Sequence, residues 1–167
     1  GAYLITGGLG GLGFIFARYL AEKYKAKLIL TGRSALSLAK QDLIKELEQL
    51  GSQVLYLSGD VSHKATVADW LTSAKAVYRK INGVIHSAGI LRDRLFLQKD
   101  WPSFKAVISP KVIGTLNLDD IMQHEEVDFF VMFSSIASCL GNLGQTDYAS
   151  GNAFLDYFAH WREQQRQ

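Results

Sequence analysis

The feature that most constrains this chain is a glycine cluster set directly behind an apolar run. Ala2 to Thr6 reads as a buried strand, and Thr6-Gly7-Gly8-Leu9-Gly10-Gly11-Leu12-Gly13 follows without a break. The cluster satisfies G-x-G-x-x-G from Gly8 to Gly13, and T-G-x-x-x-G-x-G through Gly7, Gly11 and Gly13. Glycines permit the tight turn and let backbone N–H groups approach an anion, while the start of the helix that follows adds favourable partial charge. Between a strand and a helix the motif reads as a pyrophosphate cradle; alone it is weak, and a turn that holds nothing is the alternative.

The rest of the chain alternates short apolar runs with amphipathic stretches. Leu12, Ile15, Phe16, Tyr19 and Leu20 give the first helix one apolar face. Strands are expected over 27–31, 53–58, 83–86 and 128–134. Helices are expected around Leu43, Leu47 and Leu50, closed by Gly51, and along Val67, Leu71, Ala74 and Tyr78. One or two helices fill 100–124, with Pro110 interrupting the region or opening its second helix. A last helix covers 148 to about 162, and the polar residues 163–167 form its solvated end. The pattern predicts one domain over 1–167, an α/β Rossmann-type doubly wound parallel sheet with helices on both faces and ligands at the C-terminal strand ends. Trp70, Trp101 and Trp161 read as helix packing residues.

Composition removes several other classes. Charged residues make up 20% and the formal charge is +2, with Lys and Arg scattered, so no nucleic-acid surface is expected. No apolar run approaches the roughly 20 residues of a membrane span. The single cysteine, Cys139, rules out an internal disulfide and reads as a small packing residue. It is compatible with a reducing compartment, and a cytoplasmic location is expected. No signal peptide is visible, and Gly1-Ala2-Tyr3 runs straight into strand-like sequence, which suggests a segment cut from a longer chain and truncated at its C-terminal side. His63, His124 and His160 lack metal-ligand spacing, and no metal is expected.

The unusual residues gather at strand ends. Thr31-Gly32-Arg33-Ser34 ends the second strand with a cation where an acidic residue would favour NAD; Arg33 suits a 2′-phosphate and so NADPH, a solvated arginine being the alternative. Asp60, before Val61, can receive an adenine amino group or cap the next helix, with Ser62 competing for the cap. Ser87-Ala88-Gly89 allow close backbone approach to a cofactor, whereas His86 reads as a satisfied, half-buried histidine. Ser134-Ser135 close the fifth strand, and Tyr148 and Asn152 share a helix face. Carbonyl reduction needs a proton donor, and a phenol, which ordinarily titrates at about pH 10, needs a nearby cation. The usual lysine four residues after the tyrosine is here Asn152, which leaves Lys111, at a helix start after Pro110, as the candidate.

Taken together, TGGLGGLG, TGRS, GDVS, HSAGILRD, SPKV and FSSIASCLGNLGQTDYASGNAFLD resemble the ketoreductase domains of modular polyketide synthases, which resemble those of animal-type fatty acid synthases. In that family lysine and asparagine exchange places relative to ordinary short-chain dehydrogenases, and the spacing of Lys111, Ser135, Tyr148 and Asn152 fits. The resemblance implies that Tyr148 donates the proton, Ser135 hydrogen-bonds the substrate carbonyl, Lys111 orients the cofactor ribose and assists Tyr148, and Asn152 organises the group directly or through a water. It implies the cradle residues Thr6, Gly7, Gly8, Leu9, Gly10, Gly11, Leu12 and Gly13, with Arg33, Ser34, Asp60, Val61, Ser87, Ala88 and Gly89, as the NADPH site. Leu91-Arg92-Asp93 is similar to the L-D-D signature of B-type members, with Arg92 replacing the middle aspartate and Asp93 kept, while Leu140 stands where A-type members carry tryptophan. The implied reaction converts a β-ketoacyl thioester, held on the phosphopantetheine arm of an acyl carrier protein, into a D-configured β-hydroxyacyl thioester. Neighbouring synthase domains are the further implied partners. A stand-alone short-chain dehydrogenase for a free small ketone, and a silent NADPH-binding or scaffolding domain, are the rival readings. The first lacks its tyrosine-to-lysine motif, and the second is opposed by the intact set of four. The resemblance also implies a missing substrate lid, so an open substrate side is expected.

Overall fold

Alternate residues of each strand go to different cores. The strands β1 (Ala2–Thr6), β2 (Lys27–Gly32), β3 (Gln53–Ser58), β4 (Gly83–His86) and β5 (Phe129–Met132) form one parallel sheet in the order β3-β2-β1-β4-β5. The computed structural model describes residues 1–165. Ala2, Leu4, Ile29 and Val84 pack on α3 (Lys64–Tyr78) through Val67, Trp70 and Ala74, and on α4 (Trp101–Met122) through Leu118 and Met122. Ile5, Leu28, Leu30 and Ile85 face the other way, onto Ala17 and Ala21 of α1 (Gly11–Tyr24) and Leu47 of α2 (Leu38–Gln49). The two-residue period of the strand produces this division. Helices therefore cover both faces, as the sequence pattern predicts. β1 lies between β2 and β4, so the strand order reverses beside it and opens a crevice at its C-terminal end.

Several sequence expectations need correction. Of the apolar face expected for α1, Leu20 packs against the core, but Leu12, Ile15, Phe16 and Tyr19 are exposed, while Gly13, Ala17 and Ala21 are buried. Small residues bring the helix axis close to the sheet, with Phe14 and Leu20 packed at the margin of the contact. The region 100–124 holds one continuous helix, α4, with Pro110 inside it. Pro110 removes one backbone donor, but its buried neighbours Val107, Lys111, Gly114 and Leu118 keep the helix on the core, and its carbonyl gains a tertiary donor in His86. Lys111 is consequently mid-helix and not at a helix start. Of the tryptophans only Trp70 is buried; Trp101, the first residue of α4, is 68% exposed and stacks on Phe104, and Trp161 is also exposed. Cys139 is exposed and does not pack in the core.

Other boundaries follow local chemistry. Gly51 takes the left-handed conformation (φ +95°) after α2, as a helix stop should. Asp100 caps α4 through its side chain, accepting from the Ser103 N–H at 2.7 Å. A short helix α5 (Ala137–Leu140), absent from the sequence expectation, follows the end of β5, and α6 (Thr146–Gln165) packs along α4. Of the expected polar tail, residues 163–165 continue α6, and Arg166 and Gln167 lie outside the described residues. Among the described residues no helix is long and apolar enough to cross a membrane.

Candidate active site

The glycine cluster divides into residues that make the turn and residues that leave it open. Gly7 is left-handed (φ +65°), and a Cβ on Gly13 would stand 2.3 Å from the Gly7 carbonyl oxygen, so the first turn of α1 sits directly on the loop. A Cβ on Gly8 would meet the Leu30 side chain at 2.8 Å. Gly8 and Gly13 therefore serve close packing. Gly10 caps α1 without a side chain, no acidic residue occupies the first turn, and a Cβ on Gly11 would meet nothing within 4 Å. The N–H groups of that turn face an open concavity, which suits a bound diphosphate.

Two adjoining cavities of about 740 and 510 Å³ run along the C-terminal strand ends and share Gly7, Thr31, Gly32, Gly89 and Ile90. The first is lined by Arg33, Asp60, Val61, Ala88 and Trp70, the second by Leu9, Gly10, Gly11, Leu12, Ser87, Lys111 and Tyr148. Arg33 follows β2 and is exposed. Ser34 is turned aside: its hydroxyl meets the Lys40 ammonium, and its carbonyl accepts from the Tyr56 hydroxyl at 2.7 Å. Neither Asp60 nor Ser62 caps α3, whose N-cap is His63. Instead the Asp60 carboxylate accepts from the Ser62 N–H at 2.8 Å, closing a turn at the cavity wall.

Beneath the crevice His86 is fully buried, not half-buried, and both of its ring nitrogens are engaged. The Pro110 carbonyl, 2.9 Å from Nε2, can only accept, so Nε2 carries the hydrogen. Nδ1 then accepts from the Thr6 hydroxyl at 2.6 Å. The Thr6 oxygen in turn accepts from the N–H groups of Ser87 (3.2 Å) and Ala88 (3.1 Å). Burial, reinforced by the nearby Lys111 charge and opposed by the Pro110 hydrogen bond, pushes the His86 pKa down to about 4. His86 is therefore a neutral structural link between β1, β4 and α4, and Thr6 acts through it. A Cβ on Gly114 would lie 2.7 Å from Val61, so glycine lets α4 come this close.

The candidate catalytic groups come from three parts of the fold. Lys111 of α4 is 5% exposed, and its ammonium donates to the Phe133 carbonyl at 3.0 Å while lying 5.3 Å from the centroid of the Tyr148 ring. A Cβ on Gly151 would stand 3.0 Å from the Lys111 stem, which shows how tightly α6 closes over it. Burial pulls the Lys111 pKa down to about 8, against an opposing pull from Asp156. Tyr148 lies in the first turn of α6 and lines the cleft. Asn152 does not share the cleft wall: it is fully buried, its Nδ2 donates to the Tyr148 carbonyl at 2.7 Å, and its Oδ1 has no hydrogen-bond partner among the described residues. Ser134 lines the cleft and donates to the Asn152 carbonyl at 3.3 Å, whereas the Ser135 hydroxyl accepts from the Ala137 N–H at 3.3 Å, at the start of α5.

Asp93 lies in the loop facing α6, where its carboxylate accepts from the Gln145 side chain at 2.9 Å, and Leu140 is 79% exposed. The sequence reading missed Lys99 and Asp147, a buried ion pair at 2.6 Å joining that loop to α6. They stand 48 residues apart, and although Asp147 lies directly before Tyr148 nothing local in the sequence joins it to Lys99.

An open diphosphate cradle leading to a buried lysine beside a tyrosine is an arrangement suited to a nicotinamide cofactor and carbonyl chemistry. Residues 1–167 match the KR domain family, and the chain belongs to that family. It is 46% identical over 163 residues to polyketide synthase PksN of Bacillus subtilis (strain 168), covering 97% of this chain and 3% of that synthase. It superposes on the N-terminal ketoreductase from the macrolactin assembly line with a TM-score of 0.95 and 44% identity, over 98% of this chain and 34% of that one. For a ketoreductase domain from the bacillaene assembly line the TM-score is 0.97 and the identity 42%, over 99% of this chain and 40% of the other. The chain thus spans a small fraction of the synthase and less than half of each ketoreductase chain.

Proposed function

We propose that this chain reduces a β-ketoacyl thioester, carried on the phosphopantetheine arm of an acyl carrier protein, to the β-hydroxyacyl thioester during polyketide or fatty acid assembly. The observation that carries the reading is Lys111: it reaches Tyr148 from α4, a separate helix, while Asn152 occupies the position four residues after the tyrosine. Tyr148 hands its phenolic proton to the carbonyl oxygen, and the Lys111 ammonium balances the negative charge left on the ring oxygen. Ser135 donates to the same carbonyl oxygen once its hydroxyl turns into the cleft, and Asn152 holds the first turn of α6 through the Tyr148 carbonyl. NADPH, when bound, supplies the hydride. The cradle and Ser87-Ala88-Gly89 hold its diphosphate and nicotinamide side, and Asp60 and Val61 border its adenine. Arg33 pairs with its 2′-phosphate, and Ser34 supports that corner through Lys40. Asp93 and Leu140 support a B-type orientation of the substrate. Neighbouring synthase domains would deliver it, in the cytoplasm.

The test is NADPH oxidation with a β-ketoacyl thioester, followed by determination of product configuration. Turnover giving the D-β-hydroxy product is expected. No turnover of any β-ketoacyl thioester by cofactor-bound chain would overturn the substrate reading, and an L product would overturn the B-type orientation alone. Arg33→Ala is expected to weaken NADPH binding by about 10–100-fold, the loss of one charge-assisted contact, and to leave NADH binding unchanged. Equal losses for both cofactors in binding titrations would remove Arg33 from the 2′-phosphate site.

A further inference from the structure

Lys99 and Asp147 form the most deeply buried ion pair among the described residues, with side chains 2% and 1% exposed and Nζ 2.6 Å from Oδ1. An ammonium has three hydrogens to donate, and Lys99 directs them to three acceptors on two segments. Besides Asp147 they reach the Arg92 carbonyl at 3.0 Å and the Gly144 carbonyl at 3.2 Å. Asp147 Oδ1 also accepts from the N–H of Tyr148 at 2.9 Å. Two further bonds cross the same seam: Arg94 N–H to the Gly144 carbonyl at 3.0 Å, and the Gln145 side chain to Asp93 at 2.9 Å.

Stability alone does not account for such a pair. Replacing a buried ion pair by apolar residues of similar volume is often neutral or stabilising, and here Asp147 Oδ2 is buried without a hydrogen-bond partner among the described residues. An apolar plug would fill the same space but could not fix two carbonyls and the Tyr148 backbone relative to one another. What the pair supplies is register between the loop bearing Asp93 and the first turn of α6.

We propose that Lys99 and Asp147 are positioning residues that clamp the Asp93 loop to the turn carrying Tyr148, and so fix the approach of the ketone and the face it presents. This rests on the reductase reading above. The clamp touches neither the cradle nor the Arg33 corner, so its loss affects chemistry and stereocontrol and spares cofactor affinity.

The test compares the parent with Lys99→Met/Asp147→Leu, which leaves no unpaired charge, with Asp147→Asn, and with Lys99→Arg as the conservative variant. In the double variant the NADPH Kd is expected to stay within about twofold. Its kcat/KM should fall on the order of 10–100-fold through misplacement of the reacting groups, and the ratio of major to minor β-hydroxy configuration by about tenfold. Asp147→Asn should show the same losses in weaker form, and Lys99→Arg should recover part of the ratio. A folded double variant with parental kcat/KM and parental configuration ratio overturns the proposal. Hydrogen exchange decides it independently of turnover: the Arg94 amide should be protected in the parent and exchange at least about tenfold faster in the double variant. An unprotected Arg94 amide in the parent overturns the clamp even if no variant can be purified, and equal rates in the two proteins do the same. A parent that reduces no thioester refutes the function proposed above and leaves the exchange result to judge the clamp.

Discussion

Tyr148→Phe is expected to lower kcat with a β-ketoacyl thioester by about 10²–10⁴-fold, the range for loss of a positioned proton donor, with NADPH affinity unchanged. The substitution isolates the proton. It keeps the ring over which Lys111 sits, the N–H held by Asp147 and the carbonyl held by Asn152. The Tyr148 hydroxyl makes no hydrogen bond to any described residue, so stability should change by no more than about 0.5 kcal/mol. Stopped-flow or steady-state NADPH oxidation, beside a thermal melt, checks both halves. A phenylalanine variant as fast as the parent would show that another group protonates the carbonyl.

Lys111→Met is expected to cost about 10²–10³-fold in kcat, as for removal of one preorganised electrostatic contact, without destabilising the fold at neutral pH. Burial holds the Lys111 pKa near 8 against an ordinary value of 10.5. Between those two values the unfolded chain keeps a proton that the folded chain has released. The free energy of unfolding therefore rises with pH across that window, and below it the folded protein bears the cost of a desolvated charge. Methionine removes that cost, so melting of the variant at pH 7 should match or exceed the parent, and the rise from about pH 8 to 10.5 should vanish. In the parent, activity should decline as pH passes about 8, because a neutral amine cannot balance charge on the Tyr148 oxygen. Undiminished kcat in the variant would exclude Lys111 from the chemistry, whatever the melts show.

Much of this was legible in the sequence because it is local. The strand runs, the glycine cluster and the Gly51 stop each depend on a few adjacent residues and appear where the pattern places them. The outward turn of α1 was not legible, because periodicity reveals an apolar face but not which face the sheet takes. Here the small stripe of Gly13, Ala17 and Ala21 wins through close approach. Pro110 misled for a similar reason: its effect on α4 depends on the His86 donor contributed by a distant strand. The site was half legible. Lys111, Tyr148 and the cradle meet at one cleft as the motifs suggest, but Asn152 is buried and bonds the Tyr148 carbonyl without lining that cleft, and the Lys99–Asp147 pair exists only once a loop and a helix start 48 residues apart are brought together.

The link from Thr6 through His86 to Pro110 gives the cleft an acid fuse. All its donors point the same way, toward α4, and both lone pairs of the Thr6 oxygen are already taken by the amides of Ser87 and Ala88. A second proton on the imidazole would turn Nδ1 from acceptor to donor against a hydroxyl with no lone pair left to offer. The folded protein refuses that proton down to about pH 4, whereas the unfolded chain takes it up near 6.5, so acidification through this interval drains stability. When the fuse goes, Thr6 can accept the new donor only by releasing the amide of Ser87 or of Ala88. Acid therefore acts on the molecule at the floor of its own binding crevice, where Ala88 and Ser87 line the two adjoining cavities.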